Sequence, residues 1–262
     1  MNSPIASKTE LESSESKALL QDEIIRLEKV SVQYSIPEER IGTFKEYAIR
    51  LLQRRIHFHS FWALDEVNLS VSRGEVFGVI GRNGAGKSTL LKVMSRVLRP
   101  TRGRIVIYGR VAPLLELGAG FHPELSGREN IFLNGALLGY SRKEMEACFD
   151  QIVDFAELRP FIDASIRTYS SGMYARLGFA VATAHIPDIL LVDEILSVGD
   201  GEFQQKCFNR INDFRTQGST IVMVSHNMDQ VQRLCQRVAW INKGKIELQG
   251  KPDSVISHYT GN

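Results

Sequence analysis

The glycine-rich stretch GRNGAGKST, residues 81–89, has the spacing of a loop that binds phosphate. It follows the apolar run Val76–Ile80 and precedes a helical pattern, so we expect it between a buried strand and a helix. Glycines let backbone N–H groups close around phosphate oxygens, Lys87 supplies a positive charge, and the Ser88 hydroxyl can ligate Mg²⁺. The candidate phosphate contacts are Gly81, Arg82, Asn83, Gly84, Ala85, Gly86, Lys87, Ser88 and Thr89.

Two carboxylates end the apolar run in DILLVDE, residues 188–194. The run predicts a buried strand, and Asp193 and Glu194 come at its carboxyl end. Beside a phosphate loop, we expect Asp193 to hold Mg²⁺ through water and Glu194 to polarise the attacking water as a general base. The alternative is that both carboxylates only cap the turn that follows the strand.

A lone histidine ends a further apolar run, in MVSHN, residues 223–227. A single histidine more often has a structural role than a catalytic one. His226, however, follows its strand in the same topological position as Asp193, at the carboxyl edge where open α/β sheets bind ligands. We therefore predict that His226 contacts the γ-phosphate or the water that attacks it.

A Ser-Ser-Gly turn begins the apolar helical pattern YSSGMYARLGFAVA, residues 169–182. Because the turn has little side-chain bulk, Ser170, Ser171 and Gly172 present hydroxyl and backbone N–H groups, which suit an anion at a helix N-terminus. A helix can also begin with serine simply as its N-cap. Taken alone, the stretch leaves both interpretations open.

The bulk composition is typical of a globular protein with a well-buried core, with 262 residues, 43% hydrophobic and 24% charged. A net charge of +2 gives no basic excess, so we expect no nucleic-acid partner. Cys148, Cys207 and Cys235 are far apart and form no CxxC pair, which indicates reduced thiols in the cytoplasm. No apolar run approaches the ~18 residues that span a bilayer. The polar residues 1–22 are expected to form a flexible tail.

Strand and helix patterns alternate along the chain, which predicts an α/β protein with a mainly parallel sheet. The stretch from about residue 122 to 185 is mostly helical and lies between two core strands, so we expect a helical subdomain there. The patterns predict helices over 87–97, 126–139, 141–157 and 171–184. They predict strands over 24–34, two within 63–81, and further strands over 188–192, 219–224, 236–242 and 245–249.

Residues 41–57 fit this alternation badly, and their pattern predicts an inserted amphipathic helix. The apolar side chains fall near helical spacing, and four further side chains make the segment basic: Lys45, Arg50, Arg54 and Arg55. The helix could be a solvated one that packs on the domain. It could also face a membrane surface or a partner.

The order of these motifs resembles the nucleotide-binding domain of the ABC ATPases over about residues 23–250. The resemblance implies a P-loop NTPase of the RecA-like type, with a mainly parallel core sheet, an antiparallel β subdomain and an inserted helical subdomain. That domain would occupy residues 23–262. The resemblance also implies ATP and Mg²⁺ as cofactors, with Lys87, Glu194 and His226 as catalytic residues of ATP hydrolysis.

The same resemblance implies that two copies of the chain form a dimer. In ABC ATPases the signature turn of one subunit caps the γ-phosphate held on the phosphate loop of the other. The matching residues here are Ser170, Ser171 and Gly172. Asp200, in the turn SVGD, matches the turn that crosses the dimer interface.

Two positions depart from the family pattern or leave it undecided. The usual glutamine between the phosphate loop and the helical subdomain is missing, and Glu116 lies near its place as a candidate metal ligand. The aromatic residue that stacks on adenine is either Tyr34 or Phe58. Tyr34 ends the first strand, as in the family, whereas Phe58 has the better spacing to Gly81.

The stretches LLELGAGFHPELSGRENI, YSSGM, DEILSVGD and SHNMDQVQRLC resemble the ATPase subunits that export bacterial O-antigen, capsule and teichoic acid. This resemblance implies a peripheral ATPase on the cytoplasmic face of the bacterial inner (plasma) membrane. Two copies would work with two multispanning permease subunits on a lipid-linked polysaccharide. Because the chain ends at Asn262, we expect no C-terminal carbohydrate-binding domain. The alternatives are an importer ATPase and, less favoured, a non-transport ABC ATPase.

Overall fold

The computed structural model describes residues 22–37, 58–115, 117–193 and 199–261. The predicted tail before residue 22, the predicted helix at 41–57, Glu116 and Glu194 lie outside these described residues. The strands are β1 Glu23–Pro37, β2 Phe58–Ser72, β3 Val76–Ile80, β4 Arg102–Ile107, β5 Val111–Pro113, β6 Ile189–Val192, β7 Thr220–Val224, β8 Arg237–Asn242 and β9 Lys245–Gly250. The α-helices are α1 Lys87–Met94, α2 Gly127–Leu137, α3 Arg142–Ala156, α4 Ser171–Ala182, α5 Gly201–Thr216, α6 Met228–Leu234 and α7 Pro252–Gly261. Within the described ranges, none of the helices has the length and apolar character needed to cross a bilayer.

The larger sheet has the strand order β5-β6-β7-β3-β8-β9. Its neighbouring strands are parallel, except that β8 and β9 are antiparallel. β3, β6 and β7 are buried along their whole length and consist mostly of aliphatic residues, as is usual for parallel strands covered on both faces. Because these three strands run in the same direction, the loops that follow them meet at one edge of the sheet.

Apolar side chains alternate between the two faces of this sheet and enter two separate cores. On one face, Phe77 and Val79 of β3 pack with α1 and with the smaller sheet. On the other face, Val76 and Ile80 pack with side chains of α4, α5, α6 and α7. The edge where β3, β6 and β7 end is therefore supported by a core on either side.

The smaller sheet is antiparallel, with the strand order β2-β1-β4. The register of β1 and β2 runs from Glu23 opposite Ser72 to Pro37 opposite Phe58. Residues far apart in sequence are therefore neighbours across this pair.

Helices α2, α3 and α4 share an apolar core of their own. α2 and α3 begin with capping boxes, in which the hydroxyls of Ser126 and Ser141 accept from the amides of Glu129 and Glu144, while the glutamates accept from the serine amides. α4 also packs on the core sheet through Phe179. Because α4 belongs to both cores, it joins the helical subdomain to the sheet.

The three cysteines are buried free thiols. Burial raises the pKa of Cys207 and the pKa of Cys235 to about 12. Burial also raises the pKa of Cys148. All three thiols therefore remain protonated and unreactive at neutral pH.

A buried asparagine fixes the segment that leads into α2. Asn130 is fully buried, and its Oδ1 accepts a hydrogen bond from the His122 amide at 2.7 Å. Its Nδ2 donates to the carbonyl oxygens of His122, Leu125 and Ser126 at 3.1, 3.1 and 2.9 Å. Without this side chain the part-buried His122 amide loses this acceptor, whereas the three carbonyl oxygens still accept from backbone amides. A poorly solvated amide left unpaired costs more than the loss of an exposed hydrogen bond.

We predict that Asn130→Ala lowers the free energy of unfolding by about 2 kcal/mol, because it removes four hydrogen bonds made by a fully buried side chain. For a domain of this size, that change lowers the melting temperature by roughly 5 °C. The control is Asn209→Ala, since Asn209 accepts from the Gln205 amide group on the exposed side of α5. The control should shift the melting temperature by about 1 °C at most. Equal melting temperatures for the two variants in scanning calorimetry would contradict this role of Asn130.

Candidate nucleotide-binding site

The glycine-rich loop joins β3 to α1 and passes so close to other strands that side chains do not fit. Gly81 has φ +152°, and a Cβ at this position would overlap the carbonyl oxygen of Ile241 on β8. Gly86 has φ +112°, and a Cβ there would lie 2.6 Å from the carbonyl oxygen of Ala63 on β2. Both positions therefore require glycine for space as well as for backbone conformation.

Lys87 begins α1 and folds back along this loop. Lys87 is only 7% exposed, and its ammonium donates to the carbonyl oxygens of Gly81 at 2.7 Å and Arg82 at 3.0 Å. These bonds hold the charge inside the curve of the loop, since a buried ammonium needs hydrogen-bond partners. Together with the N-terminus of α1, the loop forms a positive centre that suits a phosphate.

A cavity of about 720 Å³ opens over the loop. Lys87, Ser88 and Thr89 line it from α1, and Asp193 and His226 line it from the ends of β6 and β7. This volume lies in the range of about 300–1,000 Å³ that is usual for small-molecule sites. The other lining residues are Tyr34, Phe61, Trp62, Ala63, Asn83, Gly84, Gly86, Lys243 and Gly244. Gly81, Arg82 and Ala85 belong to the same loop but are not among the lining residues.

The parallel strands bring Asp193 and His226 to the loop. Asp193 directly follows β6, which pairs with β7, and β7 pairs with β3. The turn after β7 is fixed by Ser225, whose Oγ accepts from the Asn227 amide at 3.1 Å, and by Asn227, whose side chain accepts from the Gln230 amide at 3.0 Å. This turn holds the exposed His226 at the cavity.

Aromatic residues of β1 and β2 also line the cavity. Tyr34 lies opposite Phe61 in the β1–β2 pair, with 5.8 Å between the ring centroids. Trp62 follows, and the Arg102 guanidinium lies 4.9 Å from the centroid of its ring. Phe58 begins β2, but its side chain is outside the described ones. Phe61 and Trp62 were not predicted as site residues, although this aromatic pair directly precedes the strand predicted from residue 63.

Four further predicted site residues, all outside the phosphate loop, do not line this cavity within one chain. Ser170 is the exposed N-cap of α4, and its Oγ accepts an amide of the first turn at 3.2 Å. Ser171 and Gly172 form that first turn, and Asp200 is the N-cap of α5. Within a single chain, Ser170 therefore acts as a helix cap.

A phosphate loop at the carboxyl edge of a mainly parallel sheet makes this domain a P-loop nucleoside triphosphatase. Residues 64–197 match the family model described as ABC transporter, and the chain belongs to the ABC transporter family. The family predicted from the sequence is thereby confirmed.

Several curated relatives are export proteins. The O-antigen export system ATP-binding protein RfbB of Klebsiella pneumoniae is 49% identical over 212 residues, which are 81% of this chain and 85% of the relative. RfbB of Myxococcus xanthus is 49% identical over 220 residues, 83% of this chain and 50% of the relative. The teichoic acids export ATP-binding protein TagH of Enterococcus faecalis is 41% identical over 235 residues, 90% of this chain and 52% of the relative. The chain thus spans about half the length of the last two relatives.

Solved structures show the same fold at lower sequence identity. A dimeric ATP-binding cassette in a post-hydrolysis state with ADP and Pi has a TM-score of 0.66 at 22% identity, covering 87% of this chain and 98% of that chain. An ATP-binding subunit of an ABC transporter has a TM-score of 0.68 at 22% identity, covering 91% and 93%. The predicted fold class, a P-loop NTPase with a mainly parallel sheet, an antiparallel sheet and helices, is confirmed.

We predict that Tyr34→Ala weakens binding of ATP roughly tenfold, because stacking on a base contributes about 1–3 kcal/mol. Titration with a fluorescent ATP analogue measures the dissociation constant. The control is Tyr108→Ala, since Tyr108 is 53% exposed and does not line the cavity. Full affinity in Tyr34→Ala, together with a loss of affinity in Phe58→Ala, would assign the adenine to Phe58 instead.

Proposed function

We propose that this chain is the ATP-binding and ATP-hydrolysing subunit of an ABC exporter for a lipid-linked cell-surface polysaccharide of the O-antigen, capsule or teichoic acid type. The observation that carries the ATPase half is the cavity in which the phosphate loop meets Asp193 and His226. The names of the O-antigen and teichoic acid export relatives, at 41–49% identity, support the transport half. These relatives favour an exporter over an importer ATPase or a non-transport ABC ATPase.

The residues of the cavity suit separate roles in hydrolysis. Lys87 and the amides of the loop would bind the β- and γ-phosphates. The Ser88 hydroxyl and the Asp193 carboxylate line the same cavity, and these oxygen ligands suit Mg²⁺, which neutralises phosphate charge when bound. Glu194 is next in the chain and is proposed to take the proton of the attacking water. His226 is proposed to orient that water or the γ-phosphate.

A second copy of the chain would complete each site. Ser170 and Gly172 lie at the start of α4, where hydroxyl and amide groups and the helix dipole suit a phosphate, yet neither lines the cavity of its own chain. We therefore infer that each copy caps the γ-phosphate that the other copy binds. Such a contact uses the same surface on both copies, so a closed C₂ dimer is expected.

An apolar groove on the surface is an argument for a membrane partner. The groove has a volume of about 560 Å³ and lies between the core sheet and the helical subdomain. Val97 and Leu137 line it and are 71% and 65% exposed, and clustered apolar exposure of this kind marks interaction surfaces. We propose that a multispanning permease docks here. Two ATPase and two permease subunits would then hold the chain at the cytoplasmic face of the membrane.

We predict that Lys87→Ala and Glu194→Gln both strongly slow ATP hydrolysis but differ in their affinity for ATP. Lys87→Ala removes the charge inside the loop, so ATP affinity should fall at least about tenfold. Glu194→Gln keeps that charge but loses the proton acceptor, so it should bind ATP normally and hydrolyse it about 1,000-fold more slowly. Phosphate release and nucleotide titration measure the two properties.

Lys143→Ala is the control for the loss of one lysine, since Lys143 is exposed at the start of α3. It should hydrolyse ATP at the unmutated rate. Glu194→Gln with ATP should also elute as a dimer in gel filtration. A normal rate of hydrolysis in Glu194→Gln would refute its role as the general base, and a strict monomer with ATP bound would refute the dimer.

We predict that Leu137→Glu reduces export at least about tenfold while basal ATP hydrolysis remains within about twofold, because a charge in the groove opposes apolar docking. Ile186→Glu is the control, since Ile186 is 55% exposed and does not line the groove. Surface polysaccharide on cells and ATPase activity of the purified chain are measured in parallel. Normal export in cells that produce Leu137→Glu would exclude this groove as the docking site.

A further inference from the structure

Arg176 lies in the middle of α4 and is held by three different partners. Its side chain is 18% exposed. Nη2 donates to Oδ2 of Asp200 at 2.6 Å, and Nη1 donates to Oε2 of Glu157 at 2.6 Å. The guanidinium carbon lies 4.8 Å from the centroid of the Phe203 ring. A planar guanidinium suits two carboxylates and an aromatic face at once, whereas a lysine ammonium does not.

The two carboxylates belong to residues at the ends of two other helices. Asp200 is the N-cap of α5, and its Oδ1 accepts from the Phe203 amide at 3.0 Å. Glu157 is the left-handed C-cap of α3 and also pairs with Lys206 of α5. Arg176 therefore connects α4 to the end of α3 and to the beginning of α5.

Both carboxylates are held in the ionised form that this arrangement needs. The Phe203 amide and the Arg176 guanidinium hold the pKa of Asp200 below its ordinary value. Hydrogen bonds from Lys206 and Arg176 lower the pKa of Glu157. The contacts thus persist at neutral pH.

These contacts link two regions that act on different nucleotides in the proposed dimer. Arg176 lies six residues after Ser170, which is about 9 Å along a stiff helix. Ser170 would cap the ATP of the other copy. Asp200 lies seven residues after Asp193, between β6 and α5 of the same copy. Arg176 joins the two regions within one copy.

We propose that Arg176 is a positioning residue that fixes the signature turn relative to the Asp200 turn, and so couples the two nucleotide sites of the dimer. This inference rests on the proposed function, because the coupling has meaning only where two copies hydrolyse ATP together. Arg176 acts on neither phosphate directly, so its role is in turnover and not in nucleotide affinity.

The test is a double-mutant cycle with Arg176→Gln and Asp200→Asn. Asparagine caps helices as well as aspartate does, so Asp200→Asn removes the ion pair and keeps the cap of α5. Each single variant should lower kcat for ATP roughly tenfold, with KM within about twofold, since coupling residues of this kind typically change function by such factors. The double variant should lose no more than either single variant.

Arg159→Gln is the matched control. Arg159 also pairs with two carboxylates, Asp150 and Asp154, but on the exposed surface of the helical subdomain. It should keep kcat unchanged. If Arg176→Gln and Asp200→Asn keep kcat, or if their losses multiply in the double variant, the positioning role is wrong. If the unmutated chain hydrolyses no ATP, the proposed function itself fails.

Discussion

The nucleotide-binding site depends first on the close packing of the phosphate loop against neighbouring strands. Gly81 lies against β8 and Gly86 against β2, so strands of both sheets hold the loop in place. The Gly244 amide donates to the Ala85 carbonyl at 2.8 Å, so the β8–β9 turn also holds the loop in place. The curve around the Lys87 ammonium is therefore stabilised by tertiary packing. Such preorganisation spares the cost of ordering the loop when phosphate binds.

Helix α4 connects this chemistry to the rest of the molecule. Ser170 is its N-cap, and about one turn later the Tyr174 hydroxyl donates to the Gly118 carbonyl at 2.9 Å. One further turn along, Gly178 packs so tightly that a Cβ would lie 2.6 Å from the Gly118 amide. Gly118 lines the apolar groove, while Arg176 reaches the turn before α5. One stiff element thus touches the groove, the signature turn and the turn that follows the Asp193 strand.

Strands and helices with a clear local sequence pattern could be predicted. Features that depend on how distant strands pair could not. β3, β6 and β7 are uninterrupted apolar runs, and the capping serines of α2 and α3 are local features, so their positions were predictable. β4 is half-exposed and β5 is short, so neither has a clear strand pattern in the sequence. α5 buries Phe203, Cys207 and Phe214 at wide spacing among polar residues, so its sequence shows no clear helical pattern and this helix was not predicted. The phosphate loop is contiguous and was predictable. The choice between Tyr34 and Phe58 was not, because it depends on how β1 pairs with β2.

The register of the β1–β2 pair also determines where the protein tolerates replacement of a whole segment. Pro37 and Phe58 lie opposite each other at the end of the sheet, so the chain leaves and re-enters at one point. Once the two ends of a loop are fixed together, each doubling of its length costs only about 0.6 kcal/mol. Segments of very different length and composition can therefore be exchanged between these two residues while the nucleotide pocket keeps its shape. A reporter domain can therefore be grafted between these two residues without altering the nucleotide chemistry.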